Sequence, residues 1–410
     1  MKHLIILCDG MSDHPVASLG GLTPLAYAHT PAMDSIARRG RSGLLTTVPE
    51  GFAPGSEVAN ASILGYDVKS VYEGRGVLEA ASIGYDMAPT DMAMRCNILT
   101  LSDDGLIQNH HGGHLTTEQG TALIEYLQER LGDDRVRFIP GVQYRHLLVV
   151  KGGSKYVETI PPHDHPGERW RDCLVRPVAG APEEPGRLTP EETADLLNSL
   201  ILRSQELLKD HPFNQGRTVA ANSIWPWSPG YRPAMSPLGH LYPDLRDGKV
   251  ITAVDLIRGL GIYAGLQAID VDGATGLADT NYEGKASAAL KALRDGADFV
   301  FLHIEACDEA GHDGDLDLKL KSIERIDSRV IGPILEETGK WDEPVAIAVL
   351  PDHATPVEER VHRSEPVPFA IYYPGIIPDG VASYSEASAR LGDYGLLGPT
   401  QFMNLFMNIR

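Results

Sequence analysis

Three short apolar runs, each followed within a few residues by a carboxylate, constrain the fold of this chain more than any other feature. The runs lie far apart in the sequence, at residues 4–8, 299–304 and 345–350. Continuous apolar runs of this length are typical of strands buried on both faces of a parallel sheet. The carboxylates that follow them are Asp9, Asp308 and Asp352. Because ligands of such sheets bind beyond the carboxyl ends of the strands, we expect these side chains to meet at one site.

Helical stretches between the runs place the chain in the α/β class. Helices are predicted over residues 283–294 and 317–337, so the parallel-sheet core would carry helices on both faces. Between residues 88 and 224 the pattern changes to shorter alternating runs, many turn residues and one clear helix. We interpret this segment as a smaller inserted α+β domain. The predicted domains are core residues 1–87, the insertion 88–224 and core residues 225–410.

The charge balance narrows the range of partners. The 410 residues include 36 Lys and Arg against 56 Asp and Glu, a formal net charge of −20, and no basic run interrupts this balance. Nucleic acid is therefore not an expected partner, because its phosphate backbone requires positive charge. An acidic protein that acts on a small anionic molecule needs local compensation from metal ions, helix N-termini or converging Arg side chains.

Cysteine usage and the apolar segments predict a cytoplasmic protein with no membrane partner. The four cysteines are scattered and form no CxxC pair, which argues against a disulfide framework. Asp9 ends the first apolar run too early for a signal peptide. No stretch approaches the ~20 apolar residues of a membrane-spanning helix. The oligomeric state is not predicted from these features.

Six candidate metal ligands lie in or near the predicted strand ends: Asp9, Asp308, His312, Asp352, His353 and His362. Mixtures of imidazole and carboxylate suit Zn, Mn or Fe-type ions, whereas a calcium site would use oxygen alone. A single Asp after a strand is more often a helix cap or a turn residue. Six candidates on neighbouring strand ends are nevertheless enough for two metal ions, the usual device of phosphoryl transfer.

A candidate nucleophile follows another apparent strand, at residues 44–48. Ser56 begins a predicted helix, where free backbone N–H groups favour an anion. An ordinary Ser N-cap explains this segment equally well. Candidate ligands for a substrate phosphate or carboxylate are more scattered: Arg75, His163, Asp164, His165, Arg217 and Asn222.

Other catalytic motifs are absent or misplaced. The chain contains neither a GxxxxGKS/T phosphate-binding loop nor a GxSxG nucleophile elbow. Residues 259–264 match the loose form of a dinucleotide fingerprint, but they lie inside or at the end of a predicted helix. The sequence therefore disfavours a P-loop kinase, an esterase and a dinucleotide-dependent enzyme.

Taken together, several segments resemble the cofactor-independent phosphoglycerate mutases of the archaeal-type branch, in the alkaline phosphatase superfamily. The resemblance covers nearly the whole chain and rests on the motifs LIILCDGMSD, TPAMDSIARRGRSG, GSEVANASILGYD, YEGRGVLEAASIG, DEAGHDGD, PDHATP and VHRSEPVPF. It implies an alkaline-phosphatase-like core with an inserted lid domain, whose Arg and His residues would hold the phosphate and carboxylate of a small phosphorylated substrate.

The resemblance also implies a mechanism. Ser56 would accept the phosphoryl group of 3-phosphoglycerate, and the retained glycerate would take it back at its other hydroxyl, with no bisphosphoglycerate. Water must be excluded meanwhile, so we expect closure of the insertion to be part of the cycle. Two divalent ions are implied, typically manganese, with magnesium, cobalt or zinc as substitutes. One would be held by Asp9, Ser56, Asp352 and His353, and the other by Asp308, His312 and His362.

One segment departs from the family pattern. After Asn222, related mutases generally carry Arg-Gly-Ala-Gly, whereas this chain reads SIWPWSPG at residues 223–230. Loss of the Arg removes a bidentate carboxylate or phosphate donor and supplies an apolar wall. A homoserine kinase of threonine biosynthesis is therefore the alternative function, ahead of a phosphatase or phosphopentomutase-like enzyme. An inactive metal-binding or scaffolding protein is the non-enzymatic alternative.

Overall fold

The computed structural model describes residues 1–409 and divides into two compact units. Unit 1 combines Met1–Tyr72 with Ala234–Arg410, and unit 2 is Glu73–Pro233. Within residues 1–409, no helix has both the length and the apolar character that crossing a membrane requires.

The strands are numbered along the chain. They are β1 (Lys2–Cys8), β2 (Arg41–Leu45), β3 (Asp91–Leu101), β4 (Ile107–Asn109), β5 (Val136–Val142), β6 (Arg145–Lys151), β7 (Val157–Glu158), β8 (Arg176–Pro177), β9 (Ser223–Tyr231), β10 (Gly248–Ile251), β11 (Gln267–Ile269), β12 (Phe299–Ile304), β13 (Val345–Leu350), β14 (Val367–Tyr372) and β15 (Gly395–Leu397).

The α-helices are numbered in the same way. They are α1 (Pro24–Tyr27), α2 (Pro31–Arg39), α3 (Ser56–Ile63), α4 (Val68–Val71), α5 (Arg75–Ser82), α6 (Thr117–Leu131), α7 (Pro190–Lys209), α8 (Leu238–Leu241), α9 (Asp255–Tyr263), α10 (Tyr282–Arg294), α11 (Ala306–Asp313), α12 (Leu316–Ile326), α13 (Gly332–Thr338), α14 (Glu386–Ala389) and α15 (Gln401–Met407). Short 3-10 turns occur at Ala17–Leu19, Trp170–Cys173 and Pro212–Asn214, and a π-helical turn occurs at Asp327–Ile331.

Unit 1 is built on an eight-stranded sheet in the order β11-β10-β12-β1-β13-β14-β2-β15. Strands β11, β10, β12, β1 and β13 run parallel, and β14 is antiparallel to both of its neighbours. The three apolar runs form the adjacent central strands β12, β1 and β13, which are buried at every position. The predicted α/β class with a largely parallel sheet is confirmed.

Helices cover both faces of this sheet. Leu4 and Ile6 of β1 join a core cluster that includes Leu293 of α10 and Ile334 of α13. The neighbouring residue His3 points to the opposite face, since side chains alternate along a strand, and its ring contacts Phe406 of α15. Burial on both faces explains why these strands are apolar throughout and do not alternate with polar residues.

Unit 2 contains a five-stranded antiparallel sheet. Four of its strands follow the order β4-β3-β6-β5, and the fifth strand, β9, also pairs with β3. Apolar residues of α6 and α7 pack on this sheet in a separate core. Helix α5 contacts β3 and β9, so it belongs to unit 2, whereas the predicted insertion begins later, at residue 88. Unit 2 also ends later than the predicted boundary at residue 224, since β9 continues to Tyr231.

Candidate active site

The ends of the three central strands bring the predicted carboxylates together. Cys8 pairs with Ile304 across β1 and β12, and Leu7 pairs with Leu350 across β1 and β13, so the three strands end in register. Asp9 follows β1 directly, and Asp352 follows β13. Both are fully buried. The parallel topology thus places residues that are hundreds of positions apart at one edge of the sheet.

Asp9, Asp352 and His353 form a first group with the spacing of metal ligands. The Nε2 atom of His353 lies 3.6 Å from Asp9 Oδ1 and 3.5 Å from Asp352 Oδ2. Ser56 Oγ is 3.1 Å from the same Nε2 atom. All four residues of the first predicted ligand set therefore converge on one point.

Asp308, His312 and His362 form the second group. Helix α11 carries Asp308 and His312 one turn apart, with 3.3 Å between Asp308 Oδ2 and His312 Nε2. His362 Nε2 lies 3.3 Å from Asp308 Oδ1 and 2.8 Å from His312 Nε2. His353 is also within ligand distance of Asp308 and His362. The two groups are therefore contiguous.

The donor atoms fit divalent cations. Ligands held about 2.1 Å from one tetrahedral ion are about 3.4 Å apart, which is close to the spacing within both groups. Asp9 Oδ1 is buried and has no hydrogen-bond partner. Burial, followed by the negative charges of Asp352 and Asp308, raises the pKa of Asp9 well above its usual value. A bound cation would supply the missing partner and offset this repulsion.

The second group is already partly neutralised by its imidazoles. Burial by itself would raise the pKa of Asp308, but hydrogen bonds with His312 and His362 outweigh burial and hold the pKa well below its usual value. The hydrogen bond with Asp308 raises the pKa of His312 to about 9. The carboxylate therefore stays ionised and available as a ligand.

Ser56 is the first residue of α3, and Asn60, one turn later, holds its backbone carbonyl. The side-chain amide of Asn60 donates to the Ser56 carbonyl at 2.8 Å and to Asp352 Oδ2 at 2.9 Å. Ser56 accepts no helix-capping bond, since Gly55 is the N-cap residue and has no side chain. The Ser56 hydroxyl is therefore directed at the ligand cluster, and the alternative reading as an ordinary N-cap does not apply.

In unit 2, the predicted substrate ligand His163 lies near the guanidinium groups of Arg75 and Arg95. His163 packs edge-on against Trp227, with ring centroids 5.3 Å apart. Burial lowers the pKa of His163, the charge of Asp164 opposes this shift, and the charges of Arg95 and Arg75 add to it. The Arg95 guanidinium lies 4.6 Å above the Trp227 ring. Arg95 is also paired with Glu79, with 3.1 Å between Nε and Oε1, so its charge is partly compensated within unit 2.

The remaining predicted substrate ligands have other contacts. Asn222 bonds both the N–H and the C=O of Leu101, each at 2.8 Å. The Arg217 guanidinium lies 4.3 Å above the ring of Phe213. His165 contacts Glu168 at 3.0 Å, and Asp164 lies 3.6 Å from His163 Nε2. Both polar groups of the Asn222 side chain are therefore used in hydrogen bonds with the backbone of β3.

Comparisons with known proteins identify the family. A family profile described as 2,3-bisphosphoglycerate-independent phosphoglycerate mutase matches residues 37–214. A protein of that name from Methanosarcina acetivorans is 45% identical over 416 residues, which cover 100% of both chains. The chain belongs to this mutase family.

Solved structures agree with this membership. A protein from Pyrococcus horikoshii is 30% identical and superposes with a TM-score of 0.81, over 99% of this chain and 96% of that one. The cofactor-independent phosphoglycerate mutase from Thermoplasma acidophilum is 26% identical, with a TM-score of 0.68 and 99% coverage of both chains. The predicted family resemblance is confirmed.

The segment in which this mutase family member departs from the family pattern is part of a strand. Residues 223–230 lie in β9, where Trp225 is buried and its indole N–H donates to the Ile160 carbonyl at 2.9 Å. The indole N–H of Trp227 donates to Asn97 Oδ1 at 3.0 Å. The Arg95 guanidinium stacks on Trp227, so the segment that was predicted to be an apolar wall is in contact with a charged group.

Sequence reasoning missed several polar residues, three of them around the ligand cluster of unit 1 and one, Arg95, in unit 2. Asn60 has a sequence signal, since it lies four positions after Ser56 on the same helical face. His303 interrupts an apolar strand, and its Nε2 atom lies 3.0 Å from Asp9 Oδ2. Lys285 donates to the His303 carbonyl at 3.1 Å, and burial lowers the pKa of Lys285 to about 8. Arg95 lies in an alternating strand with no motif to mark it.

Proposed function

We propose that this chain interconverts 3-phosphoglycerate and 2-phosphoglycerate through a phosphoserine at Ser56, with no bisphosphoglycerate. The observation that carries the proposal is the Ser56 hydroxyl, 3.1 Å from His353 Nε2 at the ligand cluster. Full-length identity of 45% to a protein named as such a mutase supports the same activity. The reaction is an intramolecular phosphoryl transfer, and the enzyme is an isomerase.

The proposed cofactors are two divalent cations, with manganese the first choice and magnesium, cobalt or zinc as substitutes. The mixture of imidazole nitrogen and carboxylate oxygen in both groups suits these ions. One ion is assigned to Asp9, Ser56, Asp352 and His353, and the other to Asp308, His312 and His362. When bound, the ions would polarise the phosphoryl oxygens and lower the pKa of the Ser56 hydroxyl.

The side chains perform the transfer in two balanced steps. In the first, Ser56 Oγ loses its proton and bonds to phosphorus, while the bond from phosphorus to the glycerate oxygen breaks and that oxygen gains a proton. In the second, the other glycerate hydroxyl loses its proton and bonds to phosphorus, while the bond from phosphorus to Ser56 Oγ breaks and Oγ regains a proton. The N-terminus of α3 favours the phosphate charge beside Ser56, and Asn60 keeps the helix end aligned with Asp352.

Anionic groups of the substrate are assigned to basic side chains of unit 2. Arg75 and His163 remain the leading predicted ligands, and Arg95 joins them because it lies beside both. Asp164 lies 3.6 Å from His163 and is assigned to its orientation, and His165, which follows it in the chain, is assigned to the same segment. Arg217 and Asn222 are assigned to stabilising the structure of unit 2. Their contacts are with Phe213, Val219 and the β3 backbone.

A cytoplasmic location is also proposed. The four cysteines are buried and unpaired, which suits a reducing compartment. The activity requires phosphorylated metabolites that are found inside cells.

The test is a coupled assay of the manganese-loaded protein on 3-phosphoglycerate without added bisphosphoglycerate. Wild-type protein should form 2-phosphoglycerate, and Ser56→Ala should lose the activity. Ser62→Ala is the matched control, because Ser62 lies on the same helix, is fully buried and its hydroxyl has no partner. This control should stay active.

Three outcomes would contradict the proposal. Equal activity of Ser56→Ala and wild type would exclude Ser56 as the nucleophile. Release of inorganic phosphate with no 2-phosphoglycerate would indicate a phosphatase. Phosphorylation of homoserine with ATP by a protein inactive on 3-phosphoglycerate would establish the kinase alternative.

A further inference from the structure

Thr355 is a buried hydroxyl that joins the two candidate ligand groups. It lies two positions after His353 and is fully buried. Its Oγ1 atom is 2.5 Å from Asp308 Oδ1 and 3.2 Å from His353 Nδ1. One side chain therefore contacts a ligand from each group, although Thr355 itself belongs to neither.

The number of available protons fixes the direction of these two bonds. A carboxylate accepts hydrogen bonds and has no proton to donate, so the single Thr355 hydroxyl proton goes to Asp308. The Thr355 oxygen then accepts from His353, which places the imidazole proton on Nδ1. The Nε2 atom keeps its lone pair. This is the ring nitrogen that lies 3.1 Å from Ser56 Oγ, 3.6 Å from Asp9 Oδ1 and 3.5 Å from Asp352 Oδ2.

The Thr355 backbone is held from several sides. Its carbonyl accepts from Lys319 Nζ at 2.8 Å, and its N–H donates to the Ser12 carbonyl at 3.2 Å. Lys319 is fully buried and paired with Asp13 at 2.7 Å. On the α11 side, a Cβ atom at Gly311 would approach the Thr355 carbonyl to 2.3 Å. Helix α11 and the loop after β13 therefore meet closely at this residue.

We infer that Thr355 is a positioning residue that fixes the His353 tautomer and aligns it with Asp308, so that both ligand groups are preorganised for cations. The inference rests on the metal-binding part of the proposed function. Partners that orient the ligands of a metal commonly contribute 10–100-fold to its affinity. Thr355 has the position and the hydrogen-bond capacity for this role.

The first test measures binding of Mn²⁺ alone to metal-free protein by titration calorimetry. Thr355→Val keeps the shape of the side chain and removes the hydroxyl, so we expect it to weaken Mn²⁺ binding about 10–100-fold. Thr355→Ser restores the hydroxyl and should bind within about threefold of wild type. Thr193→Val is the matched control, because Thr193 is fully buried in unit 2 and its Oγ1 accepts only from the Ser154 N–H.

The second test reads the tautomer directly in the wild type and does not depend on metal. Nitrogen-15 NMR of histidine-labelled, metal-free wild type should show His353 protonated at Nδ1, with the signal assigned by its loss in His353→Gln. A folded Thr355→Val should lose this preference. A change confined to stability would leave the tautomer as it is in wild type.

The outcomes separate this inference from the proposed function. Wild type that binds no Mn²⁺ would refute the metal part of the proposed function, while the NMR result still decides the tautomer. Wild type that binds Mn²⁺ while Thr355→Val binds equally well would overturn the inference alone. A wild-type His353 protonated at Nε2 would also overturn it, as would a Thr355→Ser variant as weak as Thr355→Val.

Discussion

Gly10 allows the first and second ligand groups to lie side by side. Its φ of +61° lies in the left-handed region, and a Cβ atom there would come within 2.6 Å of both the Cα and the Oδ1 atoms of Asp308. The Gly10 N–H also donates to Asp352 Oδ1 at 3.2 Å. Only a residue without a side chain fits between Asp9 and Asp308.

We therefore expect Gly10→Ala to displace a ligand as well as strain the backbone. Left-handed backbone costs a non-Gly residue about 1–2 kcal/mol, and the clash with Asp308 adds to this. Gly20→Ala is the control, because Gly20 has a φ of +68° and a Cβ atom added there would meet nothing within 4 Å. Thermal unfolding should show a loss for both variants, whereas calorimetry should show weaker Mn²⁺ binding for Gly10→Ala alone. Equal Mn²⁺ affinities would contradict this reading of Gly10.

At the level of elements, helix 317–337 was predicted as one segment but is interrupted. Its first part is α12, its second is α13, and the π-helical turn between them begins at Asp327. The two carboxylate oxygens of Asp327 accept from the N–H groups of Ala32 and Met33, at 3.1 and 2.7 Å. They cap α2, whose own N-cap residue makes no side-chain bond. The π-helical turn therefore begins at the residue that caps α2, and this contact joins segments too far apart in the sequence for a local pattern to predict it.

Removing this cap should destabilise unit 1. We expect Asp327→Ala to lower the free energy of unfolding by about 1–2 kcal/mol, as for other lost helix caps. Ser328→Ala is the neighbouring control, because its exposed hydroxyl bonds only the Glu324 carbonyl, and it should change stability by less than about 0.5 kcal/mol. Urea unfolding measures both. A loss no greater for Asp327→Ala than for Ser328→Ala would show that the cap is dispensable.

The central elements were predictable because their apolar runs are unambiguous. Strands β12 and β13 have the predicted bounds, and helix 283–294 differs from α10 by one residue at its start. The strand predicted at residues 44–48 is displaced, since β2 spans Arg41–Leu45. Its register follows from pairing with β14 and β15, which are more than 300 residues away in the sequence. Such pairing leaves no trace in a local pattern.

The metal-ligand candidates were predictable for the same reason, whereas the residues around them were not. Asp9 and Asp352 lie within two residues of the ends of unmistakable strands, so topology alone brings them together. Asn60, His303 and Thr355 reach the cluster from three different segments, and only Asn60 has a sequence signal, its spacing from Ser56. Their contacts depend on how those elements pack, which the motifs do not encode.

For the whole molecule, buried neutral histidines should make stability depend on pH. Burial lowers the pKa of His146 in unit 2 to about 3, and that of His3 in unit 1 to about 4. The Gly141 N–H donates to His146 Nδ1 at 3.1 Å, so a proton on that atom has no acceptor. The unfolded chain binds protons near pH 6.5, which the native state does not. Stability should therefore be greatest above pH 6.5 and fall as the pH drops towards 4.

We expect the His146→Gln variant to lose less of its free energy of unfolding than wild type as the pH falls. Glutamine can accept the Gly141 hydrogen bond but does not titrate, so the slope between pH 6 and 4.5 should decrease by about 1.4 kcal/mol per pH unit. Urea unfolding followed by Trp fluorescence is the measurement, because three of the four Trp residues lie in unit 2. Parallel wild-type and variant curves would show that His146 does not contribute.

The measurement that addresses the proposed function most directly is a search for phosphate on Ser56. Manganese-loaded protein would be mixed with 3-phosphoglycerate, quenched in acid within the first turnovers, digested and analysed by mass spectrometry. We expect phosphate on the peptide that contains Ser56, absent from Ser56→Ala and present in Ser62→Ala. Rapid formation of 2-phosphoglycerate with no phosphoserine in wild type, and with activity retained in Ser56→Ala, would contradict the proposed mechanism.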